Sequence, residues 1–392
     1  MSVIKRYTIE DCFHLRARIG WQGLRSEEFT DYGPYLVTGT DFVNGKIDWD
    51  TCYHVDEHRY RQDVGIQLRE HDLLITKDGT IGKTAVVQDC PEKVTLNSGV
   101  FVVRAINRNV VPEFLYYVLN SHQFDLFMRN ILTGSTIKHL NQEHFYKFAF
   151  EAPDATRQSK IAEILFTVDE AIDKTCALIE KYKNIKAGMM QDLLGKRVGE
   201  FSLLSELADT ESGGTPSRAV PDYFDGNIPW VTTSELNDSF IVTTNECITL
   251  KWLQNSSAKL FPKGTVLMAM YGATIGKLGI LAIDATTNQA CCAFFCNDRI
   301  DSKYLYYKLL FMRDELIALG SGAGQPNISQ TVIKKLKIRV PSKPEQLRIA
   351  EQLTAADERI QTERDYLTKL QNIKLGLMQD LLTNTVSVDA LL

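Results

Sequence analysis

Residues 184–194 read Asn184-Ile185-Lys186-Ala187-Gly188-Met189-Met190-Gln191-Asp192-Leu193-Leu194, and residues 372–382 read Asn372-Ile373-Lys374-Leu375-Gly376-Leu377-Met378-Gln379-Asp380-Leu381-Leu382. Nine of the eleven positions are identical, at a constant offset of 188. The same offset relates Ile161-Ala162-Glu163 to Ile349-Ala350-Glu351, Asp169 to Asp357 and Ile172 to Ile360. A stretch copied without an insertion is the mark of a helix whose length matters. The apolar spacing agrees. Ile161, Leu165, Val168, Ile172, Ile179, Tyr182, Met189 and Leu193 follow alternating four- and three-residue steps, broken at Thr175 and Lys186. Ile349, Leu353, Ala356, Ile360, Leu367, Leu370, Leu377 and Leu381 do the same, broken at Glu363 and Lys374. This is a coiled-coil seam.

Both helices have legible ends. Asp154 after Pro153 is an N-cap, and Ser342-x-x-Glu345 after Pro341 is a capping box. About 38 residues at 1.5 Å rise give each helix a length of roughly 57 Å. The order globule–helix–globule–helix closes most simply with the helices antiparallel. The expected fold is therefore α+β: two mixed α/β domains separated by two long antiparallel helices in a coiled coil, with a pseudo-two-fold internal repeat. The expected boundaries are 1–153 and 196–341 for the globules, 154–195 and 342–383 for the helices, and 384–392 for a loose tail. Gly188 and Gly376 each cost about 1 kcal/mol relative to Ala inside a helix, so their repetition suggests close approach of another backbone.

Turning outward to the globules, the first carries a strand at 72–76, a Gly turn and a hairpin mate at 84–87. A further strand follows at 99–104, then a helix opened by Pro112. The second replays this order. Tyr271-Gly272-Ala273-Thr274-Ile275-Gly276-Lys277 repeats Asp78-Gly79-Thr80-Ile81-Gly82-Lys83, and Tyr304-Leu305-Tyr306-Tyr307 repeats Phe114-Leu115-Tyr116-Tyr117. The globules share a skeleton and differ in residues, whereas the helix ends at 184–194 and 372–382 are nearly identical.

Composition bounds the function. At 392 residues, 44% hydrophobic and 24% charged, the chain is of ordinary multidomain globular type. Its apolar runs are too short to span a bilayer and residues 1–6 hold no signal core, so a cytoplasmic location is expected. Eight cysteines without a CxxC pair read as reduced, mostly buried thiols. Segment 1–153 has 17 Lys+Arg against 20 Asp+Glu, and 198–341 has 13 against 14. Neither globule is basic, so any nucleic-acid affinity rests on local patches or on a partner.

Catalytic motifs are missing. Gly82-Lys83-Thr84 would need Gly at position 77 to make a phosphate-binding loop, and Lys77 stands there. No Asn–Pro–Pro–aromatic, H-E-x-x-H or G-x-S-x-G run occurs, and all seven histidines lie in the first globule without counterparts in the second. The chain is not expected to be an enzyme or to hold a metal or cofactor.

Turn residues do offer DNA-contact chemistry. In the first globule Trp21, Gln22, Arg25, Thr38, Thr40, Lys77, Thr80, Lys83, Ser135, Thr136 and Lys138 are the candidates. In the second they are Arg218, Tyr223, Thr232, Thr233, Ser234, Tyr271, Thr274, Lys277, Gln325 and Asn327. Gly permits close backbone approach at such tips, while Lys, Thr and the amides meet phosphates or base edges. Solvated hairpin tips are the plain alternative, and Tyr35 or Trp230 could equally be core.

The duplicated helix ends, the Gly-x-Thr-x-Gly-Lys turn, Gly213-Gly214-Thr215-Pro216-Ser217, Asn227-Ile228-Pro229-Trp230 and Glu345-Gln346 after Pro341 resemble the specificity subunits of type I restriction–modification systems. The likeness covers essentially the whole chain. The first helix departs from the family's Glu-Gln with Arg157-Gln158. The resemblance implies two target-recognition domains, each reading half of a split, asymmetric double-stranded DNA sequence. It also implies that the helices act as a spacer and dock two modification (adenine methyltransferase) subunits, with Met190, Gln191, Asp192, Met378, Gln379 and Asp380 at the docking ends. Restriction subunits would join that core. S-adenosylmethionine, ATP and Mg would belong to the partners. A coiled-coil scaffold joining two protein-binding domains is the alternative from another class.

Overall fold

A computed structural model of the chain describes residues 4–19, 23–133, 139–196, 198–320 and 327–392. Four helices organise it: α1 (Pro112–Leu119), α2 (Ala155–Leu194), α3 (Ser302–Phe311) and α4 (Lys343–Leu382). The long helices α2 and α4 have 40 residues each, about 60 Å at 1.5 Å per residue. The chain forms two compact units, residues 1–176 with 366–392 and residues 177–365. Each unit thus holds one head, the N-terminal half of one long helix and the C-terminal half of the other. In the first, Met378 and Leu381 share a core with Ile161 and Leu165. In the second, Met189 and Leu193 pack on Ile349 and Leu353. Antiparallel packing of the two helices follows.

The expected caps are half present. Asp154 Oδ1 accepts from the backbone N–H groups of Thr156 (3.1 Å) and Arg157 (3.2 Å), satisfying donors that the first turn leaves open. Glu345, by contrast, gives both carboxylate oxygens to Arg348, at 2.8 and 2.6 Å.

The heads explain why their central strands are apolar on both sides. In the first, an antiparallel sheet runs Phe13–Arg16, Val100–Ala105, Leu73–Thr76, Thr84–Val86. Side chains alternate along a strand. Leu73 and Ile75 therefore enter the core that faces the helices, and Leu74 enters a second core on the other face. That face is covered by a smaller sheet of Tyr53–His54, Thr30–Val37 and Val94–Leu96, in which Thr30–Val37 runs parallel to Val94–Leu96.

The second head repeats the plan. Its larger sheet runs Ala208–Ser212, Cys291–Cys296, Val266–Ala269, Leu278–Leu281, with Ser239–Ile241 added in parallel at the edge. Val266 and Met268 face the helix-side core, whereas Leu267 and Ala269 face the smaller sheet. Glu246–Ile248, Phe224–Val231 and Thr286–Thr287 form that sheet. A two-stranded ribbon precedes each long helix: Lys5–Thr8 with Ala149–Ala152, and Glu200–Leu203 with Lys337–Val340.

Three expectations change. A Cβ added at Gly188 or Gly376 would meet nothing within 4 Å, so no backbone of this chain requires these glycines. The tail is tied down rather than loose: Val388 is buried in the first core, and Asp389 pairs with Arg157 at 2.6 Å. Cys12, Cys52, Cys291 and Cys292 are buried, but the other four thiols are only half-buried. No helix among the described residues is long and apolar enough to cross a membrane.

Candidate nucleic-acid interface

One end of the sheets in each head gathers candidate residues from distant parts of the sequence. In the first head Thr76 is the pivot. Its hydroxyl bonds to the Thr80 carbonyl and accepts from the Lys83 N–H at 2.9 Å, while its carbonyl accepts from the Gly82 N–H at 2.9 Å. Gly79 and Gly82 take φ +70° and +85° there, a region that any side chain would strain. A Cβ on Gly39 would lie 2.6 Å from Thr76 Cγ2, so the Thr38–Asp41 turn presses against the same strand end. Leu140 N–H donates to the Lys77 carbonyl at 2.8 Å, leading the segment after residue 138 to this rim. Thr38, Thr40, Lys77, Thr80 and Lys83 therefore converge. Arg25 is exposed, with its backbone N–H on Glu28 at 2.9 Å. Trp21, Gln22, Ser135, Thr136 and Lys138 lie outside the described residues.

Thr38 does a second job. Its N–H and hydroxyl both bond Asp41 Oδ2, at 2.7 and 3.0 Å, and its hydroxyl meets that of Thr40 at 2.6 Å. Burial pushes the Asp41 carboxyl up, against these hydrogen bonds. The second head repeats the device: Thr232 bonds Glu235 Oε2 at 2.7 and 3.0 Å, and its hydroxyl meets Ser234 at 2.8 Å. The paired hydroxyls are thus held on rigid turns, a suitable way to present them to a duplex.

The second rim keeps the Thr and Lys of its turns and differs in what surrounds them. Gly272 and Gly276 occupy the turn at φ +70° and +74°. Arg313 braces it from behind through Gly276 O (3.1 Å) and a bidentate pair with Asp238. Tyr271 bridges Asn327, the Asn288 N–H reaches Val231 O, and Thr215 bonds Gln289. Thr232, Thr233, Ser234, Tyr271, Thr274, Lys277 and Asn327 come together here. Gln325 lies outside the described residues.

Two candidates are already engaged. Arg218 holds Glu246 bidentately at 2.8 and 2.7 Å and lies 4.5 Å from the Phe224 ring, and Glu246 keeps its guanidinium pKa raised. Contact with a phosphate would require it to exchange Glu246. Tyr223 packs on the Trp230–Trp252 cluster, and Trp230 is core, its Nε1 donating to Gly214 O at 3.0 Å. At the helix ends Met378 is buried in its own head and Met190 packs on the second core, while Gln191, Asp192 and Gln379 are exposed.

Sequence reasoning missed the junctions between heads and helices. Gln158, fully buried, accepts from Val111 N–H (2.8 Å) and donates to Asn109 O (2.8 Å) and Pro153 O (2.7 Å). Gln346, at the same offset of 188, repeats all three with Asp301 N–H (2.8 Å), Arg299 O (3.0 Å) and Pro341 O (3.0 Å). Lys186 and Lys374, two of the four breaks in the seams, pair with Asp357 and Asp169. Those carboxylates in turn accept from Tyr307 and Tyr117, both at 2.9 Å. Burial first, then the neighbouring carboxylate, pushes both phenols up, so they remain donors. The repeat offset was the signal: a Lys copied inside an apolar seam and an Asp copied beside it need partners.

Comparison with known proteins fits this architecture. The sequence model of the type I restriction modification DNA specificity domain matches residues 4–183 and again 199–372. The type I restriction enzyme MjaVIII specificity subunit of Methanocaldococcus jannaschii is 26% identical over 406 residues, covering 92% of this chain and 88% of the relative. The MjaIX specificity subunit of the same organism is 31% identical over 182 residues, 45% of this chain and 42% of the relative. The crystal structure of a type I restriction–modification S subunit from M. genitalium has the same fold, with TM-score 0.66 at 14% identity over 97% of this chain and 96% of that one.

Proposed function

Because the chain belongs to the type I restriction–modification DNA specificity family, we propose that it reads a bipartite, asymmetric double-stranded DNA target on behalf of a modification and restriction complex. Each head selects one half-site through its rim. The first offers Thr38, Thr40, Lys77, Thr80 and Lys83. The second offers Thr232, Ser234, Tyr271, Thr274, Lys277 and Asn327. The observation that carries this reading is the contrast between heads of one topology whose rims match only in part and long helices whose ends, 184–194 and 372–382, are nearly copies. Unlike rims suit unlike half-sites. Matched helices suit two copies of one partner, a modification subunit, with the exposed Gln191, Asp192 and Gln379 among the docking residues. A helix of about 60 Å holds the half-sites about one duplex turn apart.

The heads are not basic, so methyltransferase partners supply most of the phosphate affinity and this chain supplies selection. S-adenosylmethionine, ATP and Mg act on those partners and on the restriction subunits, and this chain performs no chemistry. Methylation mapping in a methylation-free host carrying the chain and its modification partner tests the proposal. The expected result is one bipartite adenine-methylated motif with a fixed gap. Replacing residues 200–340 with those of a relative should change one half-site and leave the other. A change in both half-sites, or no sequence preference at all, would count against the reading.

A further inference from the structure

Two carboxylates that flank the helix seams each join three elements. Asp169 on α2 accepts from Tyr117 of α1 through Oδ2 (2.9 Å) and pairs through Oδ1 with Lys374 of α4 (2.6 Å). Asp357 on α4 accepts from Tyr307 of α3 through Oδ2 (2.9 Å) and pairs through Oδ1 with Lys186 of α2. The ammonium groups stand 6.0 Å from the Tyr117 ring and 5.5 Å from the Tyr307 ring. Both pairs are mostly withdrawn from solvent, with side-chain exposures of 26% and 24% for Lys374 and Asp169, and 14% and 25% for Lys186 and Asp357.

A polar pair inside an apolar seam is a poor device for stability and a good one for specifying register. The positions fit that role. From Asp169 to Lys186 is 17 residues along α2, and from Lys374 back to Asp357 is 17 along α4, so one antiparallel register satisfies both pairs. A slip of one heptad, roughly 10 Å, would set each Asp against an apolar seam residue and strand each Lys. The same slip would pull the carboxylate from the head's tyrosine, so register and head placement are joined at one atom group.

We propose that Asp169 and Asp357, with their Lys and Tyr partners, are register locks: positioning residues that fix each head on the helices and thereby the gap between half-sites that the complex accepts. This rests on the bipartite reading above. The two locks are unequal. Tyr307 also meets Thr354 Oγ1 at 3.3 Å. Phe166 stands at the position equivalent to Thr354 and, with Tyr117, Asp169 and Lys374, lines a cavity of about 1120 Å³. With fewer supports and room beside it, the first lock is the weaker.

The test uses the assembled methyltransferase complex in a methylation-free host, with wild type, D169N, K374M, D357N and the charge exchange D169K/K374D. Methylation at gaps about three base pairs longer or shorter than the wild-type gap, the reach of one heptad at about 3.4 Å per step, should rise about tenfold in D169N and K374M, the ratio given by 1.4 kcal/mol of lost coupling. The half-site bases should stay as they were. D357N should widen the gap less, and the charge exchange should return the single gap. Three results overturn the locks: unchanged gap stringency in both D169N and D357N, altered bases at unchanged gap, or lower methylation of the wild-type motif in every variant, the exchange included, without new gaps. The last would mark a purely stabilising role. A wild-type complex that methylates no bipartite motif would sink the functional reading and the locks together, which separates that failure from the other three.

Discussion

The long helices and the rims of the heads obey opposite rules. Along α2 and α4 the main polar junctions with the heads are duplicated to the atom type, although Thr354 has Phe166 for its counterpart: Gln158 and Gln346 make the same three bonds, and Asp169 and Asp357 the same two. At the rims the backbone is duplicated and the side chains only in part: Thr38, Thr40 and Lys83 recur as Thr232, Ser234 and Lys277. Thr80 faces Thr274 across the repeat, but Asp78 gives way to Tyr271 among the turn residues, and Leu36 to the buried Trp230 in the smaller sheet. The difference teaches where each constraint acts. A junction must satisfy fixed backbone donors and acceptors, which leaves one solution. A rim faces outward and is free to vary with what it meets.

The sharpest way to break the comparison is to truncate equivalent core residues. Leu165→Ala and Leu353→Ala, both fully buried at offset 188, should each cost about 2–5 kcal/mol of the stability of their own unit, by loss of burial and creation of a cavity. Urea titration followed by hydrogen exchange would assign the loss to one unit or the other, and clearly unequal costs would show the junctions to be less alike than their bonds.

Next come the buried glutamines. Gln158→Ala or Gln346→Ala leaves one backbone N–H and two carbonyls without their partner, a cost of about 3 kcal/mol. Hydrogen exchange should rise around 109–111 in the first case and around 299–301 in the second, and not in the other head.

Smaller effects test the rims. Lys83→Ala and Lys277→Ala each remove one cation from equivalent turns. Each should lower the salt dependence of DNA binding by the assembled complex by about one unit of slope, leaving sequence preference intact. A shift in the preferred bases for one variant alone would assign that lysine to base reading.

The mildest test uses pH and only the first unit, since it alone holds the tail. Its hydrogen bond with Arg157 holds the Asp389 carboxyl below the usual carboxylate range. A depressed native pKa means stabilisation that is complete above the ordinary carboxylate pKa and lost as pH falls through the lowered value. Residues 384–392 should therefore become more susceptible to an acid-active protease in that window, and Asp389→Asn should reproduce the change at neutral pH.

Much of this architecture was legible because it is local or periodic. The two seams, the Asp154 cap, the hairpin around Gly79–Lys83 and the helix opened by Pro112 each follow from spacing within a dozen residues. The tail was misread because the core that buries Val388 is built mostly from residues more than two hundred positions away. The rims were partly legible: turn residues are recognisable as turns, but nothing in the sequence says that Gly39 lies against Thr76, or that Arg218 is neutralised by Glu246. Met378 followed the same logic in reverse. Its place at a helix end suggested an open surface, and the first head buries it.

The interleaving of the chain also orders its biosynthesis. Residues 177–365 form a continuous unit that has every core residue it needs once that stretch has left the ribosome. The other unit spans 1–176 and 366–392, and lacks Met378, Leu381 and Val388 until the final segment emerges. The domain translated first is therefore the one completed last, and in the meantime it exposes an apolar strip to chaperones and proteases.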